Sequence, residues 1–390
     1  DIRPDNSFNY SWRVRVWDET DTPSEWSSEA KFRAVPERLS SGQWIGAITR
    51  QNAHLPEGRK FHGGELKKPE VKAAWEAVDT LAKKSICLRR TFQVGDAKEG
   101  GANRKPGKKI VEATAYVCGL GFYEFSLNGK KVGNSEFAPL WSDYDKTVYY
   151  NTYDVTEQLR RGENVVGILL GNGFYNVQGG RYRKLQISFG PPTLLFELVI
   201  NYEDGTCTTV HSDNNWKYDF SPVTFNCIYG GEDYDARREQ KGWNQIGFDD
   251  SHWRPVVIQE APKGILRPQM AAPVKIMERY DIQKVTKLNA DQVASASVST
   301  KRTVDLSAFV LDMGQNLAGF PEITVRGKRG QKVTLIVAEA LTEEGACNQR
   351  QTGRQHYYEY TLKGEGDETW HPRFSYYGFR YIQVEGAVLK

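Results

Sequence analysis

The sequence lacks any apolar run near the ~18 residues that a membrane-spanning helix requires, so no membrane span is expected. It also lacks a charge excess, with 52 Lys and Arg against 49 Asp and Glu across 390 residues. A nucleic-acid partner leaves a basic face and an anionic membrane a basic cluster. Neither is present, and neither partner is expected. Cysteines are few and odd in number (Cys87, Cys118, Cys207, Cys227 and Cys347) and show no C-x-x-C spacing. That gives no zinc knuckle and no disulfide framework, which leaves buried free thiols as the expectation. The six histidines never fall two or four residues apart, so no metal and no cofactor is expected. A G-x-S-x-G elbow, a phosphate-binding loop and a dinucleotide fingerprint are all missing. The chain starts Asp1-Ile2-Arg3 without methionine or a leader segment. Its start therefore reads as cut, and a periplasmic or secreted location is expected ahead of a cytoplasmic one.

What is plentiful is aromatic. Ten Trp, 20 Tyr and 17 Phe make 12% of the chain, and 36 glycines add turn capacity. Aromatic and β-branched residues between turn formers favour strands. In Trp12-Arg13-Val14-Arg15-Val16-Trp17 apolar and basic residues alternate with period 2, which predicts a half-buried strand. Glu25 to Val35 reads as its partner. Residues 50–84 are rich in Lys, Gly and Pro and read as an inserted loop, with helical spacing only at 71–81. Tyr123 to Leu127 alternates before Asn128-Gly129, and Leu194–Tyr202 faces Thr206–Val210 across Asp204-Gly205, which predicts two hairpins. Thr156 is the expected N-cap of a single helical turn that stops at Gly162. Pro255, Pro262, Pro268 and Pro273 mark a domain exit, and residues 284–303 read as polar edge strands. Further strands are expected at 323–326, 332–338, 357–362 and 379–384.

Three segments carry chemistry. Asp249-Asp250 are neighbours, and successive strand residues face opposite ways, so they form a turn rather than a catalytic pair. In Glu232-Asp233-Tyr234-Asp235-Ala236-Arg237 the residues Asp233, Asp235 and Arg237 share one face. They suit either an intrastrand carboxylate–guanidinium clamp or a sugar-hydroxyl site. Trp141-Ser142-Asp143-Tyr144 sets ring faces beside carboxylates. That combination can hold a sugar, with C–H groups on the ring and hydroxyls on the acid, or can simply form an aromatic corner over the core. The candidate substrate-binding residues are therefore Trp141, Asp143, Tyr144, Glu232 and Asp235.

Taken in order, several segments resemble the N-terminal, non-catalytic part of bacterial α-L-rhamnosidases, family 78 of the glycoside hydrolases. They are Trp12 to Asp18, Gly121 to Gly129, Trp141 to Tyr144, Tyr153 to Thr156, Gly171 to Tyr175, Gly230 to Arg237, Gly247 to Trp253, Asp312 to Gly319 and Tyr377 to Tyr381. The resemblance spans about residues 10–390. It implies an all-β fold of tandem β-sandwiches. Residues 1–38 would close a fibronectin type III-like domain. Residues 39–275 would form a galactose-binding-like jelly roll with insertion 50–84, and residues 276–390 a second sandwich. It further implies a parent enzyme whose (α/α)6 barrel removes terminal L-rhamnose with inversion, so the partners are rhamnose-containing glycans and that barrel. The family's acidic motif and a barrel's helical run are missing here. Inversion needs two carboxyls ~6.5–9.5 Å apart, and no catalytic residue is assigned. Some members of the family carry a calcium-dependent rhamnose-binding sandwich, but no ligand set in this sequence matches one. The rival expectation is a stand-alone carbohydrate-binding or scaffolding protein.

Overall fold

Alternating apolar residues set most of the regular structure as strands, and the computed structural model is all-β accordingly, with only short helices among the described residues. It describes residues 9–33, 39, 41–56, 60–95, 108–182, 184–296, 308–352 and 355–387. Two compact units result, Asp1–Ser40 and Ser41–Lys390. In the first, strands Asn9–Trp12 and Ala30–Arg33 pair antiparallel. The expected half-buried strand does not continue to Trp17. Trp12, Val14 and Val16 are half-exposed or more, because a two-stranded ribbon has no second layer to cover its apolar face. The Arg15 guanidinium lies over Trp17 and Trp26, 4.7 and 4.9 Å from the ring centres.

In the second unit two sheets enclose one core. The first runs in the order Arg254–Pro255, Lys217–Phe220, Ile86–Val94, Gly162–Leu170, Tyr123–Leu127, Lys130–Lys131. The second is centred on Thr193–Tyr202 paired with Ile110–Leu120. Inward residues of both, among them Leu88, Val117, Ile168, Phe196, Leu198 and Trp216, are buried in one cluster. Both expected hairpins form. Leu127 pairs Lys130 across Asn128 and Gly129, whose φ values of 52° and 82° suit the twist of the flanking strands. Asn201 pairs Cys207 across the Asp204-Gly205 turn.

Three local readings need correction. Residues 50–84 are more ordered than a loop, and the helical stretch expected at 71–81 forms as Pro69–Glu76. Helix Pro69–Glu76 starts on a proline at its first turn and buries Trp75 with Val78, Ala82, Ile48 and Ala53 in a cluster of their own. Thr156 does not cap its turn. Asp154 Oδ1 accepts from Thr156 N and Oγ1, while Thr156 Oγ1 accepts from Ala113 N at 2.9 Å. All five cysteines are free, but Cys207 is exposed because its side chain lies on the outer face of an edge strand.

A seven-stranded sheet dominates the C-terminal part. Its order is Val223–Cys227, Gly231–Asp235, Tyr357–Thr361, Lys332–Ala338, Tyr377–Glu385, Ala308–Gly319, Lys284–Leu288. Of the polar edge strands expected over 284–303, Lys284–Leu288 forms and is the sheet's edge, Ala290–Ser295 is instead a short helix capped by Asn289, and 297–303 lie outside the described residues. The other end is notable for its origin. Hairpin 223–235 lies in sequence between strands of the first sandwich, after Lys217–Phe220 and before Arg254–Pro255, yet Gly231–Asp235 pairs in parallel with Tyr357–Thr361. The chain thus stitches its two sandwiches together by lending the second sheet a hairpin that sits within the first sandwich's sequence.

Candidate functional site

Where that hairpin enters the C-terminal sheet, the sequence places Gly230-Gly231 before Glu232. Gly231 has φ +97°, and a Cβ there would come 1.9 Å from the Tyr357 carbonyl oxygen. Only glycine allows the strands to approach so closely. Glu232 follows, fully buried. Its carboxyl oxygens accept the backbone N–H of Arg373 at 3.0 Å and of Phe374 at 2.9 Å. Burial pushes its pKa up to about 8, against the pull of those two N–H groups and of the Arg373 charge.

Arg373 carries the junction onward. Its Nη1 donates to Glu124 Oε1 at 3.3 Å and to His371 Nε2 at 3.1 Å, while His371 Nδ1 donates to the Pro372 carbonyl at 2.9 Å. Those contacts fix a neutral imidazole, and burial with the adjacent Arg373 charge keeps its pKa low. Burial disfavours the Glu124 carboxylate, yet Arg373 and Lys131 outweigh it and hold the carboxyl below the usual range. Beside this polar set the Phe374 ring packs on Gly171, in a cluster with Phe122, Phe137, Val223, Cys227 and Ile228. The arrangement is a strut between two sandwiches, with its carboxylates already occupied.

The five candidate residues do not converge on one site. Trp141 is 66% exposed and touches the Phe174 ring at 5.8 Å. Asp143 is exposed and pairs with Lys146 at 3.1 Å. Tyr144 is buried, edge-on to Tyr175 and Phe189, so its ring belongs to the core and not to a display loop. Glu232 lies in the strut. Asp235 takes the clamp reading. Arg237 Nε and Nη2 each donate to it at 2.8 Å, and that bond holds its carboxyl below the usual range. Asp249 caps the turn at Ser251, while Asp250 bonds Lys217 Nζ at 2.7 Å and Arg89 Nη1 at 3.3 Å.

Sequence reasoning missed two features. One is Glu124, Arg373 and His371. Their segments lie some 250 positions apart, and only the Gly-Gly pair hinted at a close approach. The other is a belt of rings running from Trp141 to Phe174, then to Tyr229 at 6.0 Å and on to Tyr182, stacked at 5.0 Å. Such ring faces can pack on the C–H surface of a sugar.

Tandem sandwiches joined by a hairpin define the class: an all-β protein of tandem β-sandwich domains. Comparison with known proteins narrows it. Residues 108–278 match the alpha-L-rhamnosidase N-terminal domain, and residues 302–390 the bacterial alpha-L-rhamnosidase concanavalin-like domain. The chain belongs to the bacterial α-L-rhamnosidase family and carries its N-terminal β-sandwich region. An alpha-L-rhamnosidase of Formosa agariphila is 34% identical over 98% of this chain, and one of Streptomyces avermitilis is 36% identical over 81%. The alignments span 38% and 29% of those relatives' lengths, so the chain corresponds to about a third of them. Among solved structures, the Streptomyces avermitilis alpha-L-rhamnosidase complexed with L-rhamnose superposes with a TM-score of 0.77. It is 25% identical, and the match covers 100% of this chain and 49% of that one. The native enzyme from Aspergillus terreus gives 0.76 at 28% identity, covering 99% and 39%.

Proposed function

We propose that the chain is an accessory, non-catalytic part of an α-L-rhamnosidase, an enzyme that removes terminal α-L-rhamnose from glycosides with inversion. In this reading the 390 residues alone hydrolyse nothing. Two sandwiches divide the work, one over about residues 39–275 and one over about 276–390, with the hairpin 223–235 as their stitch. The observation that carries the reading is the state of Glu232. Of the five candidates it has the raised pKa that a general acid needs. Yet both its oxygens are bonded to backbone N–H groups and it is sealed from solvent. A second carboxylate across a sugar-sized gap has no place beside it.

Sugar contact, if the chain makes it, belongs to Trp141 and its ring belt, with Asp143 as the adjacent acceptor. A single monosaccharide offers few atoms, and binding near 1 mM corresponds to about −4 kcal/mol. Calorimetric titration with L-rhamnose, with and without calcium, tests this. Heat of binding that Trp141→Ala or Asp143→Ala removes supports the site. No heat in either condition leaves these residues as turn and surface elements.

A further inference from the structure

Between the strand Ile265–Pro268 and the edge strand Lys284–Leu288 the chain runs as an extended strap without secondary structure, and every residue from 271 to 287 is exposed. Long connections of this kind are uncommon unless they do something. The strap is pinned rather than loose. Val274 O accepts from Glu136 N, Asp312 O accepts from Gln283 N at 2.9 Å, and Arg279 pairs with Glu322 at 2.7 Å. Its exposed side chains are the wrong kind for water. Met270 and Met277 are 88% and 84% exposed, and Val274, Ile276, Tyr280 and Ile282 between 42% and 48%.

Beneath the strap lies a groove of about 950 Å³, lined among others by Phe137, Ile276, Tyr280, Gln315, Asn316 and Tyr376. The far wall is irregular. Strand Ala308–Gly319 slips register between Asp312 and Leu317, where Gly314 has φ +81°. Asp312 is held by Arg380 at 2.8 and 3.0 Å, and Asn316 by Glu339 at 2.9 Å. The bulge therefore projects Gln315 and Asn316 out of the sheet on a braced base. Apolar residues with a polar rim on a fixed backbone are the composition of a protein interface.

We propose that this face, the strap 270–282 with the Gly314–Asn316 bulge and Tyr376, is the docking surface for the catalytic portion of the parent glycosidase. The proposal rests on the parent-enzyme reading. What selects the occupant is length. The curated relatives extend over more than twice the aligned region, and in a parent enzyme of that length a large body of polypeptide would be at hand to cover the face. A tethered partner needs no affinity of its own, because the linkage supplies a high effective concentration.

The test compares this chain with the full product of its gene. Hydrogen exchange at residues 275–282 should be at least about tenfold slower in the full product than in the isolated chain. Met277→Asp should leave the melting temperature of the isolated chain unchanged, since the side chain already faces water. In the full product it should lower that temperature and restore fast exchange in the strap. Equal exchange in both proteins, or an equally silent substitution in both, overturns the docking face and leaves the parent-enzyme reading intact. A gene that ends at Lys390 overturns that reading, and the docking face with it. Dimerisation of the isolated chain that Met277→Asp abolishes reassigns the face to a second copy and also overturns the proposal.

Discussion

At the scale of single residues, Glu232 shows how burial turns an acid into a structural acceptor. Its folded pKa, about 8, lies above the value near 4.5 of a free glutamate, so the folded protein holds a proton that the unfolded chain releases. The stability this contributes is complete below about pH 4.5 and is lost as pH rises towards 8. Glu232→Gln keeps an oxygen for the Arg373 and Phe374 N–H groups without the charge. Melting temperatures from about pH 5 to about pH 9 should fall for the wild type and flatten for the variant. Parallel curves would contradict the raised pKa. Glu232→Ala, which strands two buried N–H groups, should cost about 1–3 kcal/mol at any pH. Trp141 and Tyr144 form the contrasting pair. Trp141→Ala should change stability by no more than about 0.5 kcal/mol, and Tyr144→Ala, a core truncation, should cost about 3 kcal/mol. Chemical denaturation reads both. In the sequence the two residues look alike, three positions apart with rings beside carboxylates. What separates them is which ring the fold turns inward, and composition carries no such information.

At the scale of elements, the parts with local rules were legible. Asn128-Gly129 sets its hairpin because a two-residue turn demands positive φ at both positions, Glu203-Asp204-Gly205 sets the other because its three-residue loop needs positive φ at Gly205, and strand Lys332–Ala338 shows in its apolar run. Elements whose reason lies far away were not. Strand Ala308–Gly319 hides behind its bulge, and hairpin 223–235 gives no sign that its partner begins at Tyr357. The helix Pro69–Glu76 stands between the two cases, since its spacing showed at 71–81 but its place is fixed by the burial of Trp75 against Ile48, Ala53 and Phe61. The Gly231 approach provides the measurement for the stitch. Gly231→Ala should cost about 3 kcal/mol or more, because the new Cβ would collide with the Tyr357 carbonyl at a backbone angle that disfavours side chains. Gly205→Ala meets nothing within 4 Å and should cost only about 1 kcal/mol, for φ alone. Similar losses at both positions would mean that the close approach carries no energy.

At the scale of the molecule, residues 41–390 make one compact unit because a hairpin that lies in sequence between strands of the first sandwich supplies a strand pair to the sheet of the second. The buried cluster around Phe374 and Phe122 draws on both. Thermal unfolding of that unit should therefore be a single transition by fluorescence and by calorimetry, and Gly231→Ala should split it into two. Two transitions in the wild type would show that the stitch does not couple the sandwiches. The same architecture bears on function, since the buried Glu232 is bonded to the Arg373 and Phe374 N–H groups at the junction of the sandwiches and Asp235 is clamped by Arg237. The most direct test is turnover of an aryl α-L-rhamnoside, measured side by side for these 390 residues and for the full product of the gene. The account predicts hydrolysis by the full product and none above the uncatalysed rate by the isolated chain. Turnover by the isolated chain that survives repurification and is lost in Glu232→Gln or Asp235→Asn would contradict it.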